Sequence, residues 1–152
     1  MDNKILIAII DKYKGGPDFQ ILDCNFENTG GSGFVPNKSK NILVQNCSFN
    51  HTGSSLDSRM WKRGSGLWTF DCKDVIVQHN YFMNAHGPQD SYGAHIDYGN
   101  ENVVFQYNYS YNNEGGFVEI LGDNINCGYR YNISVNDGYR LDPVSYTHLR
   151  AH

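Results

Sequence analysis

The sequence predicts an all-β protein whose chain coils as a parallel β-helix, a solenoid of about five turns. Three observations predict it: few helix formers, a strand-and-turn segment that recurs along the chain, and apolar residues that alternate within each copy. The 152 residues contain 18 Asn and 16 Gly but only four Ala and four Glu. Because Asn and Gly favour turns and weaken helices, this composition argues against a helix bundle.

The repeated segment begins at Asn41, Asp74, Asn102 and Asn126, and an earlier copy ends near Phe26. Successive copies are 23, 33, 28 and 24 residues apart. In each copy the apolar residues occupy alternate positions, which is the period of a half-buried strand. A Gly-bearing turn, an insert of variable length and a second short strand then follow. Repeats of ~20–30 residues that differ mainly in their loops are typical of a stacked β-solenoid.

Stacking of the copies assigns two sets of residues to the interior. The amides at one repeat position are expected to form a hydrogen-bonded ladder, because adjacent turns are ~4.8 Å apart. These residues are Asn80, Asn108 and Asn132. The aromatic rings two positions further along are expected to stack in the same way. These residues are Phe26, Phe49 and Phe82.

From about Phe19 to Arg140 the chain resembles the right-handed parallel β-helix superfamily of secreted carbohydrate-active enzymes, the pectate-lyase-like group. The resemblance implies a right-handed coil, a polysaccharide or oligosaccharide partner, and a full-length parent protein that is monomeric and secreted or periplasmic. We expect residues 1–142 to form a partial, uncapped β-helix domain. Residues 143–152 abandon the repeat, and we interpret them as a non-native read-through tail.

Candidate catalytic residues lie on the outward face of the second strand. Alignment of the glycines that precede these strands places Trp68, His95 and Phe117 in one column and Asp97 and Glu119 in the next. Outward side chains on adjacent turns are ~5 Å apart, which is the carboxyl spacing of retaining glycosidases. We therefore predict Asp97 as nucleophile or base and Glu119 as general acid/base. Trp68, His95 and Phe117 are the expected sugar contacts.

The longest insert supplies further candidates for substrate binding. It runs from 53 to 66 and carries Arg59, Trp61 and Arg63, a cationic and aromatic group that suits a hydroxyl-rich or acidic sugar. No cofactor or metal site is predicted, although two stacked carboxylates are also able to hold Ca²⁺. A solvated surface remains the alternative for these carboxylates.

The favoured function is a glycoside hydrolase with paired carboxylates. One alternative is a polysaccharide lyase that acts on a uronate-containing glycan with a Lys or Arg base, and another is a non-catalytic glycan-binding or adhesin β-helix. The superfamily includes all of these classes, so the fold alone does not choose among them. A net charge of −4 and a pI near 5.8 argue against nucleic-acid and membrane partners.

Overall fold

The computed structural model describes residues 19–53, 63–87 and 90–139, which contain twelve short strands and no helix. No helix in these ranges is therefore long and apolar enough to cross a membrane. The strands are β1 (Phe19–Leu22), β2 (Asn25–Glu27), β3 (Lys40–Gln45), β4 (Ser48–Asn50), β5 (Leu67–Thr69), β6 (Lys73–Gln78), β7 (Tyr81–Met83), β8 (Ala94–Ile96), β9 (Glu101–Gln106), β10 (Tyr109–Tyr111), β11 (Gly128–Arg130) and β12 (Ile133–Val135).

The strands form three parallel sheets. Sheet 1 has the order β1-β3-β6-β9-β11, sheet 2 has β2-β4-β7-β10-β12, and sheet 3 has β5-β8. The chain passes from sheet 1 to sheet 2, crosses to sheet 3 where that sheet is present, and returns to sheet 1 one turn further along. The predicted all-β parallel β-helix is confirmed, and the strand pairs of sheet 1 are offset by the predicted repeat lengths of 23, 33, 28 and 24 residues.

The corners between strands explain the abundance of Asn. In the described ranges, 17 non-glycine residues have a positive φ, and 12 of these are Asn or Asp. They recur at equivalent corners: Asn46 follows β3, Asn84 follows β7, and Asn102 lies within the first residues of β9. Short polar side chains tolerate the left-handed region better than other residues with a Cβ. The sharp bends of the coil therefore favour Asn and Asp.

A stack of phenylalanine rings forms one column of the hydrophobic core. Phe26, Phe49 and Phe82 stack with centroid distances of 4.6 and 4.9 Å, as the sequence predicts. In the next turn Ser110 pairs with Phe82 and ends the stack. The ring of Phe117, 5.8 Å from that of Phe82, occupies the room that the small serine leaves.

The predicted amide ladder is present at the corner between sheets 1 and 2. Each Asn side-chain oxygen accepts from a main-chain N–H of the preceding turn, over 2.8–2.9 Å. The donors are Cys47, Asn80 and Asn108, and the acceptors are Asn80, Asn108 and Asn132. Each Asn side-chain nitrogen also donates to a strand carbonyl of the preceding turn. The ladder thus satisfies buried polar groups that a sharp corner leaves without strand partners.

Two further ladders were not predicted. One begins at the Cys72 N–H and continues through Asn100 to Asn124. The other begins at the Ala85 N–H and continues through Asn113 to Asp137. The first contains two Asn acceptors and the second an Asn followed by an Asp, so neither repeats one residue over three turns as the predicted ladder does.

Candidate functional site

Sheet 3 holds aromatic and ionisable residues at outward positions of neighbouring turns. Trp68 in β5 pairs with His95 in β8, and their rings lie parallel with centroids 5.7 Å apart. Leu67 and Ala94 precede them and point into the core, where both are fully buried. Because side chains alternate along a strand, this anchorage directs Trp68 and His95 outward.

His95 is at the centre of the site. Its Nε2 lies 3.8 Å from Oδ2 of Asp97, and Oδ1 of Asp97 accepts a 2.8 Å hydrogen bond from the Tyr98 N–H. The ring of Tyr92 meets His95 edge-on at 5.4 Å. His95 is 2% exposed and Asp97 5%, so these two residues are buried rather than open on the surface as expected.

One nitrogen of His95 has no hydrogen-bond partner among the residues that the structure describes. Its Nδ1 is buried and makes no hydrogen bond within the described parts of the chain. A buried polar atom without a partner is unfavourable by roughly 1–3 kcal/mol. The described residues therefore leave the hydrogen-bonding capacity of this nitrogen unused.

Trp68 is held by contacts from two further residues. Its Nε1 donates a 2.9 Å hydrogen bond to Oγ of Ser32, and the guanidinium carbon of Arg63 lies 5.3 Å from the centre of the indole, a cation–π contact. The structure thus brings together three predicted site residues, Arg63, Trp68 and His95. Two others, Arg59 and Trp61, lie outside the described residues.

The position of Glu119 differs from the prediction. Tyr92 pairs with Gly116 and Ile96 with Ile120, which sets Glu119 beside His95 and Leu121 beside Asp97. The predicted direct stacking of Asp97 on Glu119 is therefore wrong, because alignment on Gly115 displaced this turn by two residues. The two carboxylate residues are diagonal neighbours instead, a relationship with main-chain separations of about 7–8 Å.

Phe117 is not on the outward face. The corrected register places it beside Gly93, at an inward position that Gly66 also occupies one turn earlier. It is 3% exposed and packs edge-on against Tyr129 at 5.6 Å. Its predicted role as an exposed sugar contact is therefore corrected: the ring is part of the hydrophobic core.

Tyr129 is a site-supporting residue that the sequence analysis missed. Its hydroxyl lies 3.1 Å from the Ala94 carbonyl and 3.2 Å from the Glu119 carbonyl, inside the coil beneath sheet 3. Burial raises the pKa of Tyr129 well above its usual value, so the phenol stays a neutral donor. It fixes the main chain that carries His95 and Glu119.

Other groups have a weaker connection to the site. Asp90 forms a main-chain bridge with Arg63, the residue whose guanidinium carbon lies over the Trp68 ring. Arg130, a possible lyase base, instead donates to Gln106 on sheet 1. In the ranges that the structure describes, no three His, Cys, Asp or Glu side chains converge as a metal site.

The three parallel sheets of this coil define a β-solenoid protein. The chain belongs to the family described as the right-handed beta helix region, whose profile matches residues 10–137. Over 80 residues it is 39% identical to a Lacto-N-biosidase of Bifidobacterium longum subsp. longum, an alignment that covers 48% of this chain and 5% of that enzyme. The chain therefore spans a small part of this relative's length. No solved structure matches it significantly.

Proposed function

We propose that the chain is part of a carbohydrate-active β-helix protein, a glycoside hydrolase that binds an oligosaccharide or polysaccharide at sheet 3. The observation that carries the proposal is the buried His95–Asp97 pair against the face of Trp68. A carboxylate beside an aromatic wall suits a sugar ring, which needs both charge stabilisation and an apolar face. The similarity to a protein named as a biosidase supports the same class.

Asp97 is the proposed nucleophile or base. The Tyr98 N–H holds one carboxylate oxygen, and the other oxygen faces His95. The main-chain hydrogen bond fixes the direction of the carboxylate. His95 has two tasks in this arrangement: Nε2 orients Asp97, and Nδ1 accepts from or donates to a sugar hydroxyl, depending on its protonation state.

Glu119 is the proposed general acid/base. It lies one turn beyond His95 and is displaced by two residues from Asp97. The separation of the two carboxyl groups controls stereochemistry, since about 5–5.5 Å accompanies retention and about 6.5–9.5 Å accompanies inversion. NMR of the first-formed anomer therefore tests whether Asp97 and Glu119 act with retention or with inversion of the anomeric configuration.

The proposed sugar contacts are Trp68 and Arg63, together with Arg59 and Trp61 of the neighbouring insert. We place the whole protein outside the cytoplasm, secreted or periplasmic and monomeric, because a polymeric glycan substrate is met there. Ca²⁺ is not required in this proposal, since two carboxylates and an imidazole supply the acid–base chemistry.

The experiment compares Asp97→Asn, Glu119→Gln and Asp90→Asn with wild type on a panel of chromogenic glycosides that includes a lacto-N-bioside. We expect Asp97→Asn and Glu119→Gln to lower kcat/KM by about 10²–10⁴-fold, the usual contribution of a general acid or base. Glu101→Gln is the matched control, because Glu101 pairs with Lys73 on the remote sheet 1. Circular dichroism verifies the fold of each variant.

The outcomes separate the candidate functions. Full activity of Asp97→Asn contradicts the proposed role of that residue. An unsaturated sugar product identifies a lyase, and glycan binding without turnover identifies a non-catalytic module. If Asp90→Asn lowers activity and Glu119→Gln does not, the role of general acid/base belongs to Asp90 and not to Glu119.

A further inference from the structure

A column of aromatic residues occupies the corner between sheets 1 and 2. The residue after each strand of sheet 1 has a φ of 54–57° in every turn. Asp23 and Asn46 fill this position in the first two turns, and His79, Tyr107 and Tyr131 fill it in the next three. Tyrosine is poorly suited to the left-handed region, whereas Asn and His occur there more often. The turns that hold Tyr107 and Tyr131 therefore carry aromatic rings at a cost to local backbone stability.

These rings do not contribute to the core. They stack on one another outside the coil, with centroids 5.4 Å apart for His79 and Tyr107 and 5.1 Å apart for Tyr107 and Tyr131. Tyr107 is 48% exposed although turns lie on both sides of it. An exposed aromatic residue in an unfavourable conformation is better explained by binding than by stability.

A second aromatic column runs parallel to the first on the outward face of sheet 2. Tyr81 and Tyr109 pair in adjacent strands, with ring centroids 6.0 Å apart and the ring planes tilted by 57°. Ile133 continues the column in the next strand. Tyr81 is 55% exposed, so a ring in the middle of the coil has an open surface.

A groove of about 560 Å³ lies between the two columns. Its lining includes both aromatic columns and the Asn46, Asn80 and Asn108 corners, and it contains no Asp, Glu, Lys or Arg. Its accessible polar groups are the phenol hydroxyls, the His79 imidazole and the Asn46 amide, because the amides of Asn80 and Asn108 are buried in the interior ladder. The groove runs along the coil axis and crosses successive turns.

We propose that this groove is a glycan-binding site for a neutral, linear sugar chain that lies along the coil axis. Phenol hydroxyls, an imidazole and one amide beside aromatic rings match a sugar, which has polar edges and apolar faces. In each column a tyrosine recurs in two adjacent turns, which suits a polymer with a regular repeat better than an irregular protein surface. The site is separate from sheet 3 and does not depend on hydrolysis there.

The test uses variants that copy the first turns of the same coil. Tyr107→Asn places at this corner the residue type of Asn46, and Tyr81→Ser places in sheet 2 the residue type of its neighbour Ser48. Both changes keep the local backbone preference, so the double variant is expected to fold. Ile76→Thr is the matched control, because Ile76 is 40% exposed on the outward face of sheet 1.

Binding is measured with the 152-residue chain by affinity electrophoresis in galactomannan, hydroxyethyl cellulose and mixed-linkage β-glucan, with polygalacturonate as the acidic comparison. We expect at least one neutral polymer to retard wild type, Ile76→Thr and Asp97→Asn equally. We expect the Tyr81→Ser/Tyr107→Asn variant to bind at least tenfold more weakly. Calorimetry with neutral oligosaccharides should show affinity that rises with chain length, because the groove crosses several turns.

Three results would overturn the proposal: no neutral polymer retards the chain, the double variant binds like wild type, or polygalacturonate binds more tightly than every neutral polymer. Analytical ultracentrifugation covers a further alternative. A wild-type dimer that the double variant abolishes would show that a second copy covers the groove. Because Asp97→Asn is expected to keep this binding, failure of the groove and failure of the proposed hydrolase are distinguishable.

Discussion

The indole of Trp68 lies parallel to the imidazole of His95 in the next turn, with the planes within 9° of each other. The same indole receives the guanidinium of Arg63 and donates to Ser32. Trp68 therefore connects three parts of the site, and its ring orients His95 as well as offering surface to a sugar.

Trp68→Phe and Trp68→Ala separate the stack from the hydrogen bond. Phenylalanine keeps a ring beside His95 and loses only the bond to Ser32, so we expect the free energy of unfolding to fall by about 1 kcal/mol. Alanine also removes the stack and leaves a cavity, and we expect a loss of about 2–3 kcal/mol at this half-buried position. Urea unfolding measures both, and equal losses would show that the ring stack contributes nothing.

The interior ladder is expected to be a major source of stability. Asn108→Ala removes the acceptor of the Asn80 main-chain N–H and the donor to the Val77 carbonyl, leaving both groups buried. We expect the free energy of unfolding to fall by about 2–4 kcal/mol, because buried groups without partners are costly. Gln78→Ala is the control. It interrupts a half-buried glutamine row on sheet 1 and is expected to lose less than about 1 kcal/mol.

Gly93 is expected to be a glycine for reasons of space. A Cβ atom there would lie 2.8 Å from Nδ2 of Asn113, 2.9 Å from Oγ of Ser110 and 3.0 Å from Cβ of Phe82. We expect Gly93→Ala to lower the free energy of unfolding by about 1–3 kcal/mol, as overpacking usually does. At Gly128 a Cβ would meet nothing within 4 Å, so Gly128→Ala should leave the melting temperature nearly unchanged. Similar melting temperatures for the two variants would contradict this account.

The strands of sheet 1 were predictable because each copy repeats the same alternation, as in Ile42 and Val44. The register of sheet 3 was not predictable from the sequence, because its strands are separated by loops of unequal length. Gly115 resembles the glycine that precedes each strand, yet Phe117 occupies the position beside Gly93. A phenylalanine fits in place of the glycine because β10 carries the small Ser110 where β7 carries Phe82. The larger side chain at Phe117 is thus compensated by the smaller one at Ser110, and a single sequence gives no sign that these two positions are related.

Burial of the site residues was also outside the reach of the sequence. Alternation correctly directs His95 and Asp97 away from the axis of the coil. It does not show that the surroundings leave them only 2% and 5% exposed. The proximity of Asp97 and His95 follows from strand geometry. The hydrogen bond from Tyr129 does not, because Tyr129 lies in β11, three strands further along the chain than β8.

Thr69 is expected to reduce stability. It points into the coil from β5 beside Ile96, and its Oγ1 is buried without a hydrogen-bond partner among the described residues. We expect Thr69→Val to raise the free energy of unfolding by up to about 1 kcal/mol, because valine has the same shape and no hydroxyl to desolvate. Thr29→Val is the control. We expect it to lower the free energy of unfolding, because the Thr29 hydroxyl donates to the Gly31 carbonyl over 2.7 Å and this bond is lost. A lower melting temperature for Thr69→Val would indicate a partner for this hydroxyl.

Tyr129 is expected to make the folded chain sensitive to alkaline pH. Burial raises the pKa of its phenol well above the usual 10.0, so above pH 10 the unfolded chain loses a proton that the folded chain keeps. The stabilisation is complete below pH 10 and is lost as pH rises towards the folded pKa, with a slope of about −1.4 kcal/mol per pH unit. Tyr129→Phe should lower stability by about 1 kcal/mol at pH 7 and remove this slope.

Unfolding by urea between pH 9 and 11.5 measures both effects. The hydrogen bond to Glu101 raises the pKa of Lys73 in both proteins, so its influence cancels in the comparison. Equal slopes for Tyr129→Phe and wild type would contradict the assignment of the alkaline sensitivity to this buried phenol.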